Sequence, residues 1–539
     1  MIEHRARAVL VLMLMLALAA GPLDARAQVD APFATAVAKL KEKSFREKQT
    51  AVEMLAAVGG NEAKVVLESL LAGEVYKRKS DKRIVILSQK EQTLSIVDAI
   101  SGEDLGETEK NALKRVVINN TIRGALKQSL ARMSLQAPNA ATRRAAVESL
   151  FNSLTPETVG VLRERLIDET ESSVQQTIRT ALSLADLESE DASKRAEAAQ
   201  LLAGSMAPEV RNRLAVLVDD EEVQSVRAAA AVSLAAIDQK RSIYSVVETL
   251  FFGISLGSVF VLAAIGLAIT FGVMGVINMA HGELIMLGAY TTWVVQQAMP
   301  NWIEQSLFVA IPAAFLVSGL AGVAIERFVV RYLYGRPLET LLATFGVSLV
   351  LQQTVRSIFS PLNRAVSTPD WMSGQYVVNG ALAFTYNRLF IIVFSLVVFL
   401  LLTAILNRTT LGLQIRAVSQ DRDMARAMGI QSGRIDSMTF GLGAGVAGLA
   451  GVALSQLTNV GPNLGQSHIV DSFMVVVFGG VGNLWGTLVA GLTLGISNKL
   501  LEPFVGAVLA KIFVLVFIVL FIQARPRGLF PPQGRSAEA

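Results

Sequence analysis

Three hydrogen-bonding or ionisable side chains, Asn278, His281 and Glu283, fall within the run Gly272 to Tyr290, GVMGVINMAHGELIMLGAY, among apolar residues and glycines. The flanks Leu250 to Phe271 and Leu284 to Val295 are apolar enough to be membrane helices. Polar groups at that depth are costly, so they face a protein interior or a solute path. Two readings stay open on this chemistry: a polar solute hydrogen-bonds here on its way through the membrane, or the three groups satisfy one another in a kinked helix pair. His281 and Glu283 are two apart and would point about 200° from each other on a regular helix. The spacing therefore predicts a break or sharp bend near Ala280 to Gly282. Asn278 and His281, three apart on one face, would then lie nearer the solute. Glu283 would be a structural partner bonded within the bundle, since an unpaired carboxylate there is unfavourable.

Gln352, Gln353 and Asp471 are further polar candidates for such a path. Adjacent glutamines can also simply join helices by hydrogen bonds. Other chemistries find no residues. A phosphate-cradling loop ends in Gly-Lys-Ser/Thr, and the dipeptide Gly-Lys never occurs. The string Gly253-Ile254-Ser255-Leu256-Gly257 matches a hydrolase elbow on paper. That motif works only on a strand-to-helix turn, and here it lies inside an apolar helix. With 0 Cys and 3 His there are no disulfides and no convincing metal cluster. A net charge of +4 with no basic, aromatic-interleaved stretch gives no case for nucleic acid. The chain is expected to be no enzyme and to bind no cofactor or metal.

The elements that must position these residues are membrane helices. Of 539 residues, 52% are hydrophobic and 17% charged, with mean hydropathy +0.47, which points to a membrane protein of several domains. Residues 1–27 read as a signal peptide: His4, Arg5 and Arg7 precede a short apolar core, and Ala25-Arg26-Ala27 suits cleavage. Residues 28–242 are charge-rich and carry a pattern that returns after about fifty residues, with Pro156-Glu157 and Arg165-Leu166 answered by Pro208-Glu209 and Arg213-Leu214. Such a period predicts stacked helix pairs in a HEAT-like array, exported and scaffold-like. Ile84 to Leu87 and Leu94 to Val97 break the rhythm as a small β-hairpin.

Residues 243–532 form the membrane part and 533–539 a short tail. Spans are expected near 247–272, 276–297, 306–331, 340–359, 388–406, 438–457, 470–499 and 505–523. The fold class is thus an all-α polytopic bundle of about eight spans. Glycines 479, 480, 482 and 486 allow 470–499 to be re-entrant half-helices instead. Arginine clusters at 327–336 and 408–434 put both those connections in the cytoplasm and the N-terminal domain outside it. The tail arginines 525, 527 and 535 ask for an odd number of crossings. Between Asn407 and Asp436, residues Gln420 to Gly429 read as a short amphipathic helix closed by glycine, or as a solvated loop carrying positive-inside arginines.

Asn278-Met279-Ala280-His281-Gly282-Glu283 with Leu287-Gly288-Ala289-Tyr290 resembles the most distinctive segment of the branched-chain amino acid type of ABC importer permease. Leu411-Gly412, Arg416-Ala417-Val418, Met428-Gly429-Ile430, Val475 to Gly482 and Arg525-Pro526-Arg527-Gly528-Leu529-Phe530 extend the likeness over about 246–532. Arg336 to Gly346 with Gln352-Gln353 resembles the urea-transporting branch. The resemblance implies an inner-membrane permease subunit with no ATPase site of its own. It implies as partners a second related permease, two cytoplasmic ATP-binding subunits that use ATP, and an extracytoplasmic solute-binding protein, for which the N-terminal array would be a docking platform. It also implies that the cytoplasmic segment carrying Arg416, Asp421, Arg422, Asp423, Arg426 and Gly429 inserts into a groove of the ATPase.

Urea is small, uncharged and rich in donors and acceptors, so single hydrogen-bonding groups on apolar walls would pass it. The alternatives are the same machine for branched-chain amino acids or short amides, a passive channel, and a membrane sensor. A zwitterion would ask for paired opposite charges, and no membrane-embedded Lys or Arg accompanies Glu283. A sensor would need an output domain, and the tail after Gln523 is very short.

Overall fold

The computed structural model describes residues 31–90, 93–108 and 112–531, so the expected signal peptide and the expected short tail lie outside the described residues. Two compact units divide between Ile237 and Asp238.

The first unit opens with α1 (Ala31–Lys39), α2 (Phe45–Val58) and α3 (Gly60–Ala72), which pack on an antiparallel sheet. The expected hairpin is its centre: β2 (Ile84–Lys90) pairs with β3 (Thr93–Asp98). Three strands not expected from the sequence widen it, β1 (Val75–Arg78), β4 (Asp104–Glu107) and β5 (Leu113–Arg115), in the order β4-β3-β2-β1-β5. They are three or four residues long, too short for a clear alternation of apolar and polar residues.

Six helices come next: α4 (Asn120–Ser134), α5 (Ala140–Ser149), α6 (Pro156–Asp168), α7 (Ser172–Asp186), α8 (Ala192–Leu201) and α9 (Pro208–Asp220). The start of α6 shows why: Thr155 and Thr158 form a reciprocal capping box, Pro156 holds the first turn, and Glu157 meets the positive end of the helix dipole. Val147, Leu150, Phe151, Leu162, Ile178 and Leu184 are buried together, each contributing about 1.5–3 kcal/mol. The buried Arg143 donates two bonds of 2.8 Å to the Glu169 carboxylate and two more to the carbonyls of Ala137 and Pro138. Fifty-two positions on, Arg195 repeats this arrangement with Glu221 and the carbonyls of Ser189 and Glu190.

The division falls within α10 (Gln224–Met274), and the second unit continues from there through α11 (His281–Ala298), α12 (Ile303–Phe328), α13 (Pro337–Phe359), the hairpin β6 (Gln375–Asn379) and β7 (Leu382–Thr385), and α14 (Tyr386–Arg408). Two short helices, α15 (Thr410–Gln420) and α16 (Arg422–Ala427), lead to α17 (Ser432–Ser455), α18 (Leu464–Gly479), α19 (Leu484–Val505) and α20 (Ala507–Ala524). Among the described residues seven helices are long and apolar enough to cross a membrane: α10, α12, α13, α14, α17, α19 and α20.

The expected count of eight needs two corrections. The segment 470–499 is two helices, because Gly480 and Gly482 take left-handed φ values of 103° and 80° and Asn483 caps α19 by accepting from the Gly486 N–H at 3.0 Å. The span expected at 276–297 is helical only from His281, after a non-helical stretch from Gly275.

α17 is the centre of this unit and is largely buried, whereas α20 is largely exposed. Lipid gives no hydrophobic drive between helices, so small residues set how closely they approach. A Cβ added to Gly288 would sit 2.1 Å from the Gly448 carbonyl oxygen, and one on Gly451 2.1 Å from that of Ile285. The Gly253/Gly257 and Gly491/Gly495 pairs seat α10 against α19 in the same way.

Candidate functional site

The break before α11 places the start of that helix against the start of α18. A Cβ on Gly282 would lie 2.5 Å from the Gly465 carbonyl oxygen, and one on Gly465 would lie 2.4 Å from that of Gly282. Beside this contact is a cavity of about 290 Å³ lined by Met279, Gly282, Glu283, Phe345, Ser348, Gly465, Gln466 and Ile469. The Ser348 hydroxyl donates to Glu283 Oε1 at 3.0 Å, while the buried Oε2 has no hydrogen-bond partner among the described residues. A carboxylate acceptor, a hydroxyl and an amide thus face a space whose remaining walls are apolar or backbone, and no Lys or Arg lines it.

The positions named from sequence scatter around this cavity. Glu283 is the one of the six that lines it. Asn278 is fully buried, its Oδ1 accepting from the Ala280 N–H at 3.0 Å, so it shapes the bend before α11. His281 is equally buried, and its Nε2 donates to the Ala263 carbonyl of α10 at 2.8 Å. Glu283 is thus bonded within the bundle, as expected, and also lines the cavity, whereas the amide and imidazole bond to the backbone beside it and do not line it. Gln352 reaches the Pro462 carbonyl and Asn463 Oδ1, each at 3.4 Å, and so joins α13 to the segment before α18. Gln353, about 100° further round α13, points away from that contact and is exposed. Asp471 accepts from Lys511 Nζ at 3.3 Å, an ion pair between α18 and α20 away from the cavity.

Sequence reasoning missed Ser348, although a signal was there. Thr340, Thr344, Ser348 and Gln352 recur every four residues and are all buried on one face of α13. Thr344 also receives the Met279 N–H at 3.1 Å, which pins the non-helical stretch to that face.

A second site candidate is the connection around α16. Asp421 caps it, accepting from the Met424 N–H at 2.9 Å, and Gly429, at φ 85°, ends it with N–H groups turned back on the last turn. The helix expected over Gln420 to Gly429 is thus the six residues Arg422–Ala427 plus both caps. Asp423, Met424, Arg426 and Met428 are exposed, and Arg426 donates to the Ser432 hydroxyl at 2.8 Å. Arg416, exposed on α15, donates to the Leu406 carbonyl.

Arg422 turns inward. It donates to Asp436 at 2.8 Å and lies 4.7 Å over the Tyr334 ring. Burial, reinforced by the Asp436 and Glu326 carboxylates, pushes the Tyr334 phenol far above its ordinary value, so it remains a donor. Among the described residues no group of three His, Asp or Glu is placed to hold a metal.

Residues 249–524 match the family described as branched-chain amino acid transport system / permease component. The chain is 29% identical over 292 residues to the high-affinity branched-chain amino acid transport system permease protein LivH of Escherichia coli, covering 52% of this chain and 94% of that protein. With BraD of Pseudomonas aeruginosa, named likewise, it shares 29% over 296 residues, 53% of this chain and 96% of that protein. Escherichia coli LivM, also named as a permease protein of that system, is 23% identical over 302 residues, 51% of this chain and 69% of that protein. No solved structure matches the chain.

Proposed function

The chain belongs to the branched-chain amino acid transport system permease family, and from that premise we propose that it is the membrane-spanning subunit of an ATP-driven importer for urea. The observation that carries the substrate reading is the cavity at the start of α11, where Glu283 Oε2 and the Ser348 hydroxyl await N–H donors and no cationic side chain is present. A small neutral amide or urea satisfies those acceptors without a counter-ion. The likeness to both LivH and LivM supports a second, related permease as partner. ATP would be used by two cytoplasmic subunits seated on the exposed Met424 and Met428 face of α16, and an extracytoplasmic binding protein would deliver solute.

In this reading the chain sits in the bacterial inner membrane with the N-terminal unit outside, as an exported helical-repeat platform. Counting α11 and α18 as crossings gives nine passes among the described residues, the odd number that the arginines near 525 require.

A second reading, branched-chain amino acids, is favoured by one specific observation. Gly465 and Gln466, in the first turn of α18, line the cavity, and a helix start offers free N–H groups to a carboxylate. A zwitterion could then bind between Glu283 and that helix end with no Lys or Arg.

The test is uptake into proteoliposomes holding the complete importer. Urea is taken up with ATP and leucine is not, and Glu283→Leu lowers urea uptake about ten- to a hundredfold, the loss of a hydrogen bond to a charged group. Leucine uptake without urea uptake would replace the first reading with the second.

A further inference from the structure

We propose that Arg422, Asp436, Tyr334 and Glu326 form a joint that carries movement of the α16 helix into α12 and α17; the proposal rests on α15–α16 being the surface the ATPase moves. A helix of six residues has no stability of its own, so the groups that fasten it decide which neighbours move with it. Part of that fastening is a small apolar cluster of Ile415, Val418, Ala425 and Ile435. The rest is polar and directional.

Arg422, the first residue of α16, donates at 2.8 Å to Asp436, whose side chain is 0% exposed one turn into α17. The same guanidinium stacks 4.7 Å from Tyr334, whose hydroxyl donates at 3.0 Å to Glu326 near the end of α12. Glu326, also 0% exposed, accepts in addition from Arg331 and the Ser437 hydroxyl. An exposed ion pair would be worth little. Here both carboxylates are out of water, and separating Arg422 from Asp436 strands a buried charge. The cheaper response to a pull on α16 is for α12 and α17 to move along with it.

Those are the helices that hold the cavity. α17 meets α11 backbone to backbone at Gly448 and Gly451, and the Ser318 hydroxyl of α12 donates to the Leu284 carbonyl at 3.0 Å, one residue from Glu283. Arg422 is therefore a positioning residue inside this chain, and the ATPase contact itself falls to the exposed Met424 and Met428 on the outer face of α16.

The experiment uses the complete importer in proteoliposomes, reading uptake, basal ATP hydrolysis and hydrolysis stimulated by solute-loaded binding protein. Arg422→Gln and Asp436→Asn should each leave the ATPases co-purifying and basal hydrolysis unchanged, while uptake per ATP falls roughly tenfold. The double variant should be no worse than either single one, because both remove the same link. Additive losses, or normal uptake per ATP in whatever protein folds, overturn the joint.

Should the single variants fold poorly, the absence of native cysteine offers a second route. Arg422→Cys with Asp436→Cys, bridged by a short thiol-reactive linker, should regain the coupling ratio that the unbridged pair loses; continued uncoupling after bridging overturns the proposal. Met424→Ser with Met428→Ser tests the underlying reading separately: unchanged ATPase co-purification there would dismiss α16 as the docking surface, whatever the joint variants do.

Discussion

The two units use the same pair of residue types, arginine and a buried carboxylate, to opposite ends. In the first unit Glu169 takes two bonds from Arg143, one from Arg165 and two from the backbone N–H groups of Thr170 and Glu171, so that each carboxylate oxygen has partners. In the membrane unit Arg422 makes a single bond to Asp436, leaving Asp436 Oδ2 without a partner among the described residues. A saturated pair fixes geometry, whereas an under-bonded one holds two elements together and still permits rearrangement. The apolar packing differs in parallel. Branched side chains fill the first unit's core, while the second brings backbones together through glycine.

The packing contrast breaks most visibly by adding a side chain at a glycine in each unit. Gly288→Leu should abolish recovery of folded protein from membranes, since its first atom already lies 2.1 Å from the Gly448 carbonyl oxygen. Gly160→Ala, in the middle of α6 with nothing within 4 Å of the added carbon, should instead raise the stability of the first unit by about 0.5–1 kcal/mol. Purified yield and thermal unfolding of the full chain read both. If Gly288→Leu folds normally, the close approach of α11 to α17 is wrong.

A smaller effect separates the ion pairs. Arg143→Met leaves Glu169 buried without its main partner and should lower the thermal midpoint of the first unit by several degrees. Arg422→Gln should lower the melting of the membrane unit by less, because Arg422 gives Asp436 one bond where Arg143 gives Glu169 two, while uncoupling it. Equal destabilisation by the two would erase the distinction between brace and joint.

The smallest is a pH effect confined to the first unit. Hydrogen bonds from Arg143 hold the Glu169 carboxyl at about 2, and those from Arg195 lower that of Glu221. Carboxyls lowered by folding stabilise fully above the ordinary carboxylate range and lose that contribution as pH falls toward the folded value. Protection against hydrogen exchange in α5 to α9, taken relative to the intrinsic rate at each pH, should therefore fall between pH 5 and pH 3, and Glu169→Gln should flatten that dependence near its own helices. Protection that stays constant across that range in the unsubstituted protein would contradict the assignment.

Much of this architecture was legible. Membrane helices declare themselves by length and apolarity, and the glycines at 479–482 marked the real break. The sheet was half legible, because a long hairpin shows alternation and edges of three or four residues do not. The site was harder to read. Which of Asn278, His281 and Glu283 meets the cavity depends on how Gly275 to Ala280 re-enter the bundle, and that path is fixed by a distant hydroxyl, Thr344, and by the Ala263 carbonyl. Gln352 and Gln353 teach the same lesson on a regular helix, where neighbours in sequence end on different faces. Arg422 looked like its exposed neighbours until Asp436 and Tyr334, which sequence order separates, stood beside it.

The end of α18 is completed by residues made much later. The Leu529 N–H donates to the Phe478 carbonyl at 2.9 Å and that of Phe530 to Gly479 at 3.2 Å, with Gly528 packed on Gly480. On the ribosome, α18, α19 and α20 must all have left the translocon before those two carbonyls meet their donors, and until then the corner is held only by water or lipid headgroups. This corner is one of the last parts of the unit to close, so a fusion or cut placed just before Leu529 would be felt at a helix synthesised some fifty residues earlier.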